Sequence, residues 1–134
     1  MLLFLFQFGL IIYSNDAVLI FDLNAPVGDS VASLQTAIMA VDLIGNLTAT
    51  PAGMLEAANQ FRNFDRNDTL YPDVALVLTD GFSNVPILDI ELALIAAADE
   101  LKAETEYAVH SLLIKTVHVA LLFLFKRGII QVSI

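Results

Sequence analysis

One carboxylate stands where an apolar run gives out, in Val77-Leu78-Thr79-Asp80-Gly81. In open α/β sheets, ligands bind outside the carboxyl ends of the strands, so Asp80 is placed for a hard cation or a polar ligand. Gly81 lets the backbone turn sharply beneath it. The same aspartate would serve equally well as a turn or helix cap, and alone it assigns nothing. The second piece is Thr48-Ala49-Thr50-Pro51-Ala52-Gly53. Thr50 before Pro51 reads as a cap followed by proline at the first helical position. Thr48, two residues earlier, keeps its hydroxyl available to face the strand ends. Hydroxyl and carboxylate oxygens both suit Mg²⁺, a hard cation that retains several waters. Spacing alone does not bring Thr48 and Asp80 together.

Other polar residues carry less. His110 and His118 sit in apolar sequence with no carboxylate cluster beside them, and read as core or edge histidines rather than ligands. Asn46-Leu47-Thr48 and Asn67-Asp68-Thr69 match the glycosylation pattern. Asn67 lies in a polar stretch and is the better acceptor, whereas a glycan on Asn46 would crowd the Thr48 loop. Asp99, Glu100, Lys102, Glu104 and Glu106 read as a solvated helix end. An enzyme using Asp80 for phosphoryl transfer would need a second acid nearby, a Gly-rich phosphate loop and a lysine. The sequence offers no second aspartate two residues away, no Gly-rich phosphate loop and no strong lysine candidate, so no catalysis is expected.

The elements that must position these groups follow from periodicity. Strands are predicted over 10–13 and 17–23, joined by the turn Ser14-Asn15-Asp16. Ser30 caps a helix whose stripe is Val31, Leu34, Ile38 and Val41, ended by Gly45 and Asn46. A second helix buries Met54, Leu55, Ala58 and Phe61, and 62–72 is a polar loop. Residues 73–79 form an unbroken apolar run, the pattern of a central strand with parallel neighbours. Ile87, Ile90, Leu94, Ala97 and Leu101 mark a third helix, and a strand follows over 108–114. From residue 73 onward this is a βαβ unit, hence an α/β fold with a parallel sheet.

Composition sets the bounds. The 134 residues allow one domain, 57% hydrophobic and 16% charged, which implies a sizeable core. A net charge of −9 with six Lys and Arg argues against nucleic acid and against an anionic membrane surface. There is no cysteine, so disulfides and thiolate metal sites are excluded. Residues 1–13 and 117–125 are strongly apolar, yet both fall short of the roughly 20 residues of a spanning helix. Buried strands are the plainer reading of both, with a signal segment open for the first and a divergent tail for the second.

Several segments together resemble a known family. Val77 to Gly81 with Ser83 looks like the Thr-Asp-Gly segment of von Willebrand factor A and integrin I domains. Thr48 to Leu55 is similar to the family's Thr-x-Thr stretch and the helix after it. Phe8-Gly9-Leu10-Ile11-Ile12-Tyr13-Ser14-Asn15-Asp16-Ala17 resembles its second strand and hairpin, and Phe21-Asp22-Leu23-Asn24 its third strand. The likeness runs over about residues 8–114, leaving 1–7 and 115–134 as divergent hydrophobic ends of a single partial domain. It implies a Rossmann-like, open, mostly parallel sheet with helices on both faces. It also implies a metal-ion-dependent adhesion site built from an Asp-x-Ser-x-Ser loop, a threonine and an aspartate. Thr48 and Asp80 take the last two positions. The first loop has no counterpart, nor do the first strand and first helix, and Asp22-Leu23-Asn24-Ala25-Pro26 offers an aspartate alone.

Loss of that central first strand exposes two edges, which invite another segment or chain. Residues 1–6 and 117–125 are the candidates to fill the gap. The function implied is binding of a protein ligand from the extracellular matrix or cell surface, in the manner of collagen-associated A domains. Mg²⁺ would be held weakly and the parent protein would be extracellular or secreted. The alternative is a truncated, metal-free or membrane-associated fragment, with self-association through its sheet edges.

Overall fold

The computed structural model describes residues 7–42, 47–64, 72–79, 83–84, 88–105, 107–113 and 121–126. Strands β1 (Gln7–Tyr13) and β2 (Ala17–Phe21) form a hairpin rich in β-branched and aromatic residues. Its turn is fixed by the Ser14 amide donating to the Asp16 carbonyl (3.0 Å) and the Ala17 amide to the Asp16 carboxylate (2.8 Å). Strands β3 (Asp73–Thr79), β4 (Tyr107–Leu113) and β5 (Leu121–Lys126) complete a five-stranded sheet of order β2-β1-β5-β3-β4.

β5 lies between β1 and β3 and runs antiparallel to both. Phe123 pairs with Leu10 on one side and Leu76 on the other. Only the β3–β4 pairing is parallel, and the other three are antiparallel. The expected mostly parallel sheet, with β3 between two parallel neighbours, is corrected accordingly. The reason is chain length. Seven residues separate Leu113 from Leu121, and a parallel return needs a crossover of about a dozen or more. A short return re-enters the sheet antiparallel. The central position therefore goes to the segment expected over 117–125, as 121–126. The other candidate, 1–6, lies outside the described residues.

Three helices form where periodicity predicts them, but Leu55, expected on the buried face of the second, is 49% exposed, and Ala57 packs inward with Met54, Ala58 and Phe61. α1 (Val31–Met39) is capped by Ser30, whose hydroxyl accepts from the Ser33 amide at 3.1 Å. α2 (Thr50–Phe64) begins at Thr50 itself, so the expected cap becomes the first helical residue. α3 (Ile90–Glu104) matches the Ile90-Leu94-Ala97-Leu101 stripe, and Ile87 lies outside the described residues. One core joins Ile11 and Tyr13 of β1, Ala75 and Val77 of β3, Met54, Ala57, Ala58 and Phe61 of α2, and Ala97 and Leu101 of α3. Ile11 and Tyr13 share a face, as alternate residues of a strand must.

Gly53 is required at the centre of this packing. A Cβ there would meet Tyr13 Cδ1 at 2.8 Å, so helix and strand approach too closely for any other residue. The α1 stripe behaves differently from its prediction. None of that helix's residues is buried, and Val31 is 73% exposed. A short 3₁₀ turn (Pro26–Asp29) and α1 border an open hollow of about 610 Å³, shared with Ile12, Ile20 and Phe21.

Candidate functional site at the carboxyl ends of the strands

Ile12, Leu121 and Leu78 form one row across the sheet, next to the carboxyl ends of β1 and β3. Tyr13 extends β1 beyond that row, and its hydroxyl donates to the Leu78 carbonyl at 2.8 Å. The bond joins the strands on either side of β5 at the point where β5 begins. Because β5 is antiparallel, the first residue of this strand rather than its last lies at the site end. A loop following a parallel central strand therefore has no equivalent here.

The Thr48 loop is tied down at the same end. The Ala49 amide donates to the Ser14 carbonyl (2.8 Å), holding the entry to α2 against the β1–β2 turn. The Thr48 amide donates to Asn84 Oδ1 (2.6 Å), and the Thr48 carbonyl accepts from the Asn84 amide (3.0 Å) and the Ser83 hydroxyl (2.8 Å). The loop before α2 and the residues 83–84 that follow β3 thus meet. Their meeting residues are Thr48, Ser83 and Asn84. Asp80 lies outside the described residues, as do Asn46, Asn67, Glu106 and His118. His110 falls within β4.

Thr48 is half-buried, and among the described residues its hydroxyl makes no hydrogen bond. One neutral oxygen is a poor site for Mg²⁺, which wants near-octahedral oxygen coordination and sheds water reluctantly. Ser83 already spends its proton on the Thr48 carbonyl. Asp22 cannot help, because β2 runs away from this end and delivers it to the opposite one. There Asn24, bonded to the Asp22 carboxylate, accepts from Gln7 at the start of β1. Among the described residues no three of His, Asp and Glu cluster as metal ligands. The described residues alone do not make a Mg²⁺ site.

Three positions escaped sequence reasoning. Tyr13 and Asn84 carry no motif, and their partners are distant in sequence. Arg62, in the last turn of α2, donates to Glu104 (3.0 Å) and Glu100 (2.9 Å) of α3. Hydrogen bonds donated to Glu104 first and Glu100 second hold the guanidinium above its usual range. Part of the acidic helix end is therefore a clamp between helices. The i,i+4 spacing of Glu100 and Glu104 on one helix face was the available signal.

Among the described residues no helix is long and apolar enough to cross a membrane. Comparison with characterised proteins and with solved structures gives no match. Comparison with family models does: the von Willebrand factor type A domain matches residues 5–122. The match is wider than the likeness over 8–114, and stops two residues into β5, so that most of the central strand lies beyond it. The α/β order, the tied loops at the strand ends and this match agree, and the chain belongs to the von Willebrand factor type A domain family, a class of protein-binding and adhesion modules.

Proposed function

We propose that this chain binds a protein ligand at the end of the sheet formed by Thr48, Ser83 and Asn84, with a divalent cation contributing weakly. The observation that carries this reading is the pairing of a braced loop with an unspent hydroxyl. Three hydrogen bonds with Ser83 and Asn84, one donated by the Thr48 amide and two accepted by its carbonyl, hold the Thr48 backbone, while the Thr48 side chain remains available. Groups held in advance lose little entropy on binding, which favours recognition. The ligand class is an extracellular matrix or cell-surface protein, and the parent protein is secreted or extracellular. Catalysis is not part of this reading, because Asp80 has no second acid or phosphate loop beside it in the sequence.

Mg²⁺ would draw on Thr48 and Asp80, at most two of about six positions, and only the aspartate carries charge. Titration calorimetry with Mg²⁺ and Mn²⁺, on the chain and on Asp80→Ala, tests this. Weak, non-saturating heat in both proteins is expected. Tight, saturable binding that vanishes in Asp80→Ala would overturn the weak-cation reading. Binding to immobilised matrix proteins, collagen among them, tests the site itself. It is expected to survive EDTA and to weaken in Asn84→Ala, which loosens the Thr48 loop. Binding unchanged in Asn84→Ala would place the ligand elsewhere.

A further inference from the structure

Ile11 and Tyr13 turn toward α2 and α3, so Ile12 turns to the opposite face of the sheet, as alternate strand residues must. On that second face lies the open hollow of about 610 Å³, a volume within the range of small-molecule sites. It is lined by Ile12 of β1, Val27 of the 3₁₀ turn, Ala37 of α1 and Ala40 just beyond that helix. β2 is shaped to the same hollow. Leu10 pairs with Phe21 and Ile11 with Leu19, which leaves Ile20 as an extra residue, a bulge in the edge strand. Consecutive strand residues ordinarily point to opposite faces, and a bulge re-aims a side chain. Ile20 and Phe21 accordingly both line the hollow.

Charge selects the occupant. Among the described residues that line the hollow, Asp42 alone is charged, and it is exposed; every other lining side chain is apolar. The first 61 residues hold Asp16, Asp22, Asp29, Asp42 and Glu56 and no lysine, arginine or histidine. Arg62 and Lys102 belong to α2 and α3, across the sheet. The hollow is thus an apolar surface in a field of negative charge, which draws cations and repels anions. We propose that it binds a small amphipathic cation, an apolar body bearing one ammonium group. The body lies against Ile12, Ile20, Phe21 and Ala37. The ammonium stays in water beside Asp42, so no unpaired charge is buried. The inference is independent of the reading at the strand ends.

An open hollow covers only part of its ligand, so a small probe should bind with a Kd on the order of 1 mM. The apolar lining supplies most of that affinity. An ion pair with an exposed carboxylate adds little and is screened by salt. Charge therefore sets the preference among ligands of one shape.

Phenylbutylammonium, phenylbutanol and phenylbutyrate share one apolar body and differ in charge, and NMR titration of the intact chain with each tests the proposal. Methyl signals of Ile12, Ile20, Ala37 and Ala40 should shift saturably with the ammonium and the alcohol, while those of Met54 and Ala58 on the other face stay still. At low salt the ammonium should bind at least fivefold more tightly than the carboxylate, and high salt should shrink that preference. Asp42→Asn should at least halve it and leave phenylbutanol binding unchanged. Ala37→Phe, which fills the hollow, should weaken ammonium and alcohol alike at least fivefold, with unmoved Met54 and Ala58 signals showing that the fold is kept. The titration of the unmodified chain stands whether or not that variant folds. No saturable shift at the lining methyls, phenylbutyrate bound as tightly as the ammonium, or a preference unchanged in Asp42→Asn would each overturn the proposal.

Discussion

The two flanks of this molecule use similar apolar stripes to different ends. Under α2 and α3, Met54, Ala57, Ala58, Phe61, Ala97 and Leu101 close on Ile11, Tyr13, Ala75 and Val77, and every one of these is buried. Beside β2, the stripe of α1 repeats at the same helical spacing, yet Val31 is 73% exposed and Leu34, Ile38 and Val41 are only half-buried. The difference lies in what the helix meets. α2 and α3 meet each other and the central strands, whereas the 3₁₀ turn and α1 stand over an open hollow beside an edge strand. Periodicity specifies that a helix has an apolar face. Whether that face is buried depends on a partner that the helix's own sequence does not name.

Substitutions can break this comparison, and the largest effect is expected at Phe61. Phe61→Ala removes a ring from the closed flank and should cost about 3–5 kcal/mol, read as a drop in urea midpoint at constant slope. Met39→Ala on the open flank should change stability by less than about 0.5 kcal/mol. Equal losses at the two positions would show that α1 is packed after all.

Gly53→Ala sharpens the comparison within the closed flank. Alanine improves helix propensity by up to about 1 kcal/mol, but its Cβ would drive into the root of the Tyr13 ring at 2.8 Å. Overpacking of this kind costs about 1–3 kcal/mol, so net destabilisation is expected. Tyr13→Phe, which forfeits the bond to Leu78, should cost about 1 kcal/mol. A stabilised Gly53→Ala protein would mean that helix and strand do not approach so closely.

The smallest effect is expected at Arg62, where both ion pairs are largely exposed. Arg62→Ala should lower stability slightly at low salt and not at all at high salt. The guanidinium is held above its ordinary range, so its contribution is complete below that range and is lost only above it. No dependence on the charge of Arg62 is expected at neutral pH. A salt-independent loss would assign Arg62 to packing rather than charge.

Much of the local structure was legible because it has local causes. The run 73–79 is β3 to the residue, Ser30 caps α1 as its position suggested, and Leu94, Ala97 and Leu101 fall on the inward face of α3. The direction of the central strand was not legible. It depends on the seven residues between β4 and β5 and on the vacancy between β1 and β3, neither of which leaves a periodic trace. At the strand ends, Thr48 was picked out by its place before a helix. Asn84 and Tyr13, whose partners lie 36 and 65 residues away, had no local pattern to betray them.

The account rests on β5 standing between β1 and β3, and proton–proton contacts in an NMR spectrum of the intact chain test that directly. Backbone protons of Phe123 should show antiparallel contacts to both Leu10 and Leu76, and those of Lys126 to both Gln7 and Asp73. Contacts from Phe123 to only one of those strands, or in a parallel pattern, would contradict the arrangement and return the central position of the sheet to another segment.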